Sequence, residues 1–393
     1  MNQLGQEKME AAKETVLTSS RLMLKKQKEP GLWITAVEGP VRKEFHLTLQ
    51  PLPGEKLKAM VRRLAALLRE KNATVVRHEI LGSKAAHTET MQILHRELHN
   101  FDWPVMWIGS DGNTSSTISG MHLFAVAGVR VDTIYQGEES IGRVFGDGQT
   151  RCCLLSGLRP ANLSASKSAQ CQEVFRNLER GLCEADMNIA NVARTWFFLD
   201  AIHSWYGEFN GARNEFFQKK KLIGNLLPAS TGVGSQNPAG SAVSVGAWAV
   251  QATKDCVSII EVPSPLQCSS VEYGSAFSRA VLVETPLWRR LLISGTASIG
   301  PDGRSLHIGD LPGQIGLTME VVREILASCD LDFSHVTRAT AYFKNSQDAP
   351  AFDLWRKQQR LEPFPLIVTQ SDICRPELLF EIELDAISLV KLN

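Results

Sequence analysis

The chain has 393 residues, 42 Lys plus Arg against 42 Asp plus Glu, and 44% hydrophobic residues. That length predicts two or three domains, and the zero charge balance excludes the basic surplus a nucleic-acid binder places on phosphates. No apolar run is long enough to span a membrane and the polar segment 1–31 holds no signal-peptide core, so a cytoplasmic protein without a membrane partner is expected.

In chain order, residues 1–30 read as a loosely docked lead-in. Alternating apolar residues then predict strands around Leu32–Val37 and Phe45–Leu49. Leu57, Met60, Val61, Leu64, Leu67 and Leu68 recur at helical spacing within 55–71, and an apolar strand, 74–81, follows. The same helix–strand unit returns at 172–187 with 192–199, and again at 318–331 with 336–343. The last two copies match without a gap: Leu182 with Leu326, Asp186 with Asp330, Val192 with Val336 and Arg194 with Arg338. A repeat of this length predicts three related subdomains, at 31–135, 136–250 and 251–393. The eight scattered Cys form no C-x-x-C pair, so neither zinc site nor disulfide framework is expected, and Cys152-Cys153 read as small buried thiols. His95 and His99 lack a third ligand, and no glycine pattern makes a nucleotide loop, so no metal and no cofactor are expected.

The chain ends in a strand with an unusual polar face. From Leu378 to Ala386, Glu381, Glu383 and Asp385 alternate with Phe380, Ile382 and Leu384. Three carboxylates in a row repel, so at least one should have a raised pKa or a fixed partner. An acidic outer face on an edge strand is the alternative. Within the repeat, Glu381 falls opposite Ser244 and Glu383 opposite Gly246, so chemistry belongs to the last copy.

The helix, the Val-x-Arg strand, a Pro-containing loop and Glu381-Ile-Glu383 resemble the RidA (YjgF) superfamily of small trimeric α/β proteins. Longer matches narrow this. Trp196-Phe-Phe-Leu-Asp200, Trp205-Tyr-x-Glu-Phe-Asn210 with Arg213, Leu227-Pro-Ala-Ser-Thr-Gly232, Tyr273-Gly-Ser-x-Phe-Ser-Arg279, Ser294-Gly-Thr-Ala-Ser298, His307-x-Gly-Asp310 and Asp372-Ile-Cys-Arg375 resemble the chorismatases over about 140–390. The resemblance implies an α+β (α/β) fold of tandem RidA-like subdomains, a pseudo-trimer within one chain, acting as a monomer. It implies removal of pyruvate from chorismate to give 3-hydroxybenzoate, with or without 4-hydroxybenzoate. The family's hydrolytic branch, leaving a dihydroxy-cyclohexadiene acid, and a non-catalytic metabolite-binding protein stay open as alternatives. Leu366 stands where the small relatives hold an Arg, which argues against an imine-deaminating site.

Those residues suit that substrate. Chorismate carries two carboxylates, for which Arg213 and Arg279 are the candidate cations, with Tyr206, Tyr273 and Ser278 as neutral donors. Structural ion pairs at a subdomain interface are the alternative for the arginines, and satisfied core aromatics for the tyrosines. Enol ether cleavage needs a proton donor that is neutral near pH 7, and burial beside Glu383 suits Glu381 for it. Glu383 and Asp385 read as structural. Cys374 is, from its type alone, a small buried hydrophobe; the resemblance makes it the mark of the aromatising branch, steering a ring intermediate. The resemblance also puts Ala297 at the substrate, and leaves His307 a turn residue or a peripheral site residue.

Overall fold

The computed structural model describes residues 13–18, 22–110 and 117–390. Three sheets repeat one strand order. In the third subdomain it runs Ser258–Val262, Ala280–Glu284, Trp288–Ala297, Phe380–Leu389, Val336–Phe343, Leu366–Gln370. The second runs Val131–Gln136, Glu139–Gly146, Thr150–Leu158, Val243–Ala252, Val192–Leu199, Ala229–Gly234. The first runs Met23–Glu29, Leu32–Glu38, Lys43–Leu49, Ile118–Ala127, Thr74–Gly82, Val105–Gly109, with Lys13–Thr18 added at its edge. In each sheet the last pair is parallel and every other pair antiparallel. The expected fold class, an α+β pseudo-trimer in one chain, is the observed one.

Two strands, Lys13–Thr18 and Met23–Glu29, fall inside the expected lead-in; residues 1–12 and 19–21 lie outside the described ones. Met23–Glu29 carries four charged residues in seven, which hid its pairing with Leu32–Glu38. Its Leu24 is nonetheless buried.

The three long helices are Leu57–Lys71, Lys167–Cys183 and Leu311–Ala327. The last two begin earlier than their apolar spacing suggests because their caps lie upstream. Ser166 Oγ accepts from the Ala169 N–H at 3.2 Å and Asp310 accepts from the Gly313 N–H at 3.1 Å. Each helix is followed by a non-glycine residue at positive φ, Asn72, Asp186 or Asp330 at 47°, 51° and 57°, which turns the chain into the next strand. Val322, Ile325 and Leu326 on the third helix are fully buried against the sheet, each worth about 1.5–3 kcal/mol relative to exposure.

The strand after each helix carries a bulge, at Val75/Arg77, Val192/Arg194 and Val336/Arg338. The bulge brings Arg77, Arg194 and Arg338 to equivalent places, where all three guanidinium groups lie within 6 Å of the Trp196 ring. Three carboxylates, Glu79, Glu383 and Asp385, meet them in the core. Removing one partner from such a buried set costs about 3–5 kcal/mol, so this cluster fixes how the three subdomains meet.

Candidate active site

Glu381, Glu383 and Asp385 project from one face of the Phe380–Leu389 strand and meet two environments. Glu383 is fully buried and charged. It takes Arg194 Nη2 at 2.5 Å, Arg338 Nη2 and the Thr231 hydroxyl. Burial pushes its pKa up, but the two guanidinium charges outweigh that and hold it low. Asp385 takes Arg338 Nη1 at 3.4 Å.

Glu381, on the same face, lines the cleft between the second and third subdomains. It is 4% exposed, and among the described residues no donor reaches its carboxyl. Burial first, then the charge of Glu383, raises its pKa from 4.5 to about 8, against a smaller pull from Arg194. The carboxyl lies against Gly295, where an added Cβ would displace Glu381 Oε1. The Gly295 N–H donates to Thr231 Oγ1 at 3.0 Å, and the Thr231 hydroxyl in turn donates to Glu383. One threonine thus ties the site's floor to the charged core.

The cleft holds about 230 Å³. The helix Tyr206–Lys219 presents Tyr206, Asn210 and Arg213 to it at i, i+4 and i+7, one helical face. The segment between Ser270 and Ala280 contributes Tyr273, Phe277 and Arg279, held against the helix by Asn214, which bonds Gly274 O at 2.8 Å and the Ala276 N–H at 3.1 Å. The loop before the catalytic-strand candidate adds Cys374 and Arg375, and Ala297 lines the floor.

Of the residues singled out in the sequence, Glu381, Cys374, Tyr206, Arg213, Tyr273, Arg279 and Ala297 all line this cleft. Ser278 does not: its hydroxyl donates to Leu227 O at 2.7 Å, and its backbone N–H to Pro228 O at 3.0 Å, so it staples the second subdomain to the third. His307 sits at positive φ, half-exposed, outside the lining. Cys152 and Cys153 are buried, and no metal-holding cluster occurs among the described residues.

Three arginines face the cavity, and among the described residues none is paired with a carboxylate. Arg213, 1% exposed, donates to Asn210 Oδ1 at 2.7 Å, and its Nε has no partner. Arg279 donates twice to Cys268 O, at 3.1 and 2.9 Å, and lies 5.3 Å from the Tyr273 ring centre. Arg375, not among the candidate site residues read from the sequence, donates to Ser305 Oγ at 3.2 Å and also lies 5.3 Å from the Tyr273 ring centre. Its one signal in the sequence is that it follows Cys374 in the Asp372-Ile-Cys-Arg375 motif. Burial pushes the Cys374 thiol up to about 12, the Glu381 charge adds to that, and a hydrogen bond with Tyr206 offsets part of it. Cys374 therefore stays a neutral thiol at ordinary pH. Burial likewise raises Tyr206 and Tyr273, which remain neutral donors.

Fold and cleft define a pseudo-trimeric α+β chain with a cavity between its second and third subdomains, lined by arginines and a buried carboxyl. No family model matches the chain. It is 23% identical over 225 residues to a 3-hydroxybenzoate synthase from Streptomyces hygroscopicus, covering 50% of this chain and 64% of that protein, slightly under two thirds of the relative's length. A crystal structure of a chorismatase superposes with a TM-score of 0.53 at 17% identity, covering 80% of this chain and 93% of that one. TdcF from E. coli aligns over 33% of this chain and 98% of its own, with a TM-score of 0.27 at 17% identity. The chain has the chorismatase fold, and the resemblance read from its motifs holds in both sequence and structure.

Proposed function

We propose that the cleft between the second and third subdomains binds chorismate and removes its enolpyruvyl group, releasing pyruvate and a hydroxybenzoate. The observation that carries this reading is the set of three arginines, without carboxylate partners among the described residues, around a buried carboxyl whose pKa burial and Glu383 raise. Cations gathered around a cleft without carboxylates to neutralise them call for anions, and chorismate brings two carboxylates.

Glu381, neutral at pH 7, gives its proton to the vinyl CH2, which becomes the methyl group of pyruvate. The resulting cation is stabilised by the ether oxygen. The bond from that oxygen to the ring then breaks, its electron pair completing the pyruvate carbonyl. The ring is left cationic and becomes aromatic by losing a proton, which returns to the Glu381 carboxylate. Nothing is added: chorismate divides into hydroxybenzoate and pyruvate without water, oxidant or cofactor. Cys374, held neutral against Tyr206, faces the ring and governs which hydroxybenzoate forms. The hydrolytic outcome would add one water and leave a dihydroxy-cyclohexadiene acid.

The test is to incubate the purified chain with chorismate, follow pyruvate, and identify the ring product by chromatography. Equal amounts of pyruvate and hydroxybenzoate are expected. Absence of pyruvate would reject the reading, and a dihydroxy acid in place of the aromatic product would reject the role given to Cys374.

A further inference from the structure

The junction between the first and second subdomains opens into a second cavity, of about 640 Å³. It is the pseudo-threefold equivalent of the cleft just described. Strand register puts Ser244 at the place of Glu381, Gly157 at that of Gly295, and Trp107 at that of Gly232. The acid is gone, and the arginine set has shrunk to Arg159, which is already bonded to both Glu139 oxygens at 2.8 and 3.0 Å.

What replaces them is an aromatic wall under an acidic rim. Phe101 meets Trp103 edge-on at 4.9 Å and 86°, and His87 meets Trp107 edge-on at 4.9 Å and 85°. Tyr135 stands at the mouth, 52% exposed. Asp102, Glu138 and Glu139 line the opening; Arg143 pairs with Asp102 and Arg159 with Glu139, so among the described residues Glu138 is the carboxylate of the rim without an arginine. His87 adds no positive charge, because burial first and then the charge of Arg159 lower its pKa. Two buried polar groups of wall residues, Trp107 Nε1 and Ser244 Oγ, have no hydrogen-bond partner among the described residues. Aromatic faces attract cations, and an excess of carboxylates does the same at longer range. The same excess disfavours a dianion such as the substrate proposed for the other cleft. A volume of this size matches a small organic ligand.

We propose that this cavity is a second binding site, for a small aromatic amine, with its ring against Trp103 and Trp107 and its ammonium at Glu138. The proposal does not depend on what the other cleft does.

Calorimetric titration of the full chain with tyramine, and with n-butylamine as the cation lacking a ring, tests it. Tyramine is expected to bind once per chain and n-butylamine at least about tenfold more weakly. Glu138→Gln should raise the tyramine Kd about fivefold. Ala239→Trp, at an exposed position of the wall, should abolish binding by filling the cavity. Arg213→Ala, in the other cleft, should leave the tyramine Kd unchanged. No heat with tyramine, equal binding of n-butylamine, or binding that survives Ala239→Trp would overturn the assignment.

Discussion

The three subdomain junctions are built from equivalent strands, and one register position shows how they diverge. Glu381 occupies it in the second–third cleft, Ser244 in the first–second cleft and Gly120 in the remaining junction. With Glu381 come three arginines without carboxylate partners, among the described residues, and a cavity sized for a small acid. With Ser244 comes a wider, aromatic cavity with an acidic rim. At Gly120 a Cβ would collide with Leu49 O of the adjacent strand and with Ile367 Cδ1 of the third subdomain. The fold supplies three junctions, and the side chains around one strand position give each a different lining.

Removing the acid should give the largest effect. Glu381→Gln is expected to lower pyruvate release from chorismate about 10²–10⁴-fold, the usual range for a general acid. It should not unfold the protein. The folded state raises this carboxyl from 4.5 to about 8, so the wild type loses stability as pH rises across that window, and Gln lacks the penalty. Melting curves at pH 8 should therefore place the variant at or above the wild type. Undiminished turnover would show that the three junctions do not differ in the way described.

Transplanting the acid sharpens the same contrast. Ser244→Glu, added to Glu381→Gln, puts a carboxyl at the equivalent position of the first–second cleft, which has no comparable set of arginines. No pyruvate release should return. Recovery of even a tenth of wild-type activity would mean that the acid, and not the arginine set, defines the site.

Loss of a single arginine should act chiefly on binding. Arg213→Ala, Arg279→Ala and Arg375→Ala each leave a substrate carboxylate short of a charged hydrogen bond, worth about 1.5–3 kcal/mol. KM should rise about ten- to a hundredfold, and Lys should restore it only in part, because an ammonium lacks the planar fork. KM unchanged in all three would remove the arginines from the account.

The smallest expected change is one of product and not of rate. Cys374→Ala should still consume chorismate but alter the hydroxybenzoate ratio or yield the dihydroxy acid. A thiol that only fills space would instead cost roughly 1 kcal/mol of stability, with the same products. Chromatography beside a melting curve distinguishes the two.

Much of this was legible in the sequence because it is local or periodic. Helical spacing, the gapless match of Arg194 with Arg338, and the alternation around Glu381 each depend on residues a few positions apart. Contacts across long separations were not legible. Glu383 and Arg194 lie 189 residues apart, and nothing in either segment announces that they pair. Arg77 was passed over because the first copy diverges, yet its bulge puts it with the other two arginines. Ser278 shows the converse error: a serine within a motif rich in site residues turned its hydroxyl toward the Leu227 carbonyl. Motif membership places a residue near a site, while the direction of one strand residue decides which side it faces.

The pH dependence of pyruvate release tests the central claim most directly, that a buried, neutral Glu381 is the proton donor. Single-turnover rates with chorismate, measured from pH 6 to 9.5, should hold steady and then fall as pH passes about 8, tenfold per unit beyond it, as the carboxyl ionises. A rate that stays level through pH 9.5, or that rises across the window, would contradict it.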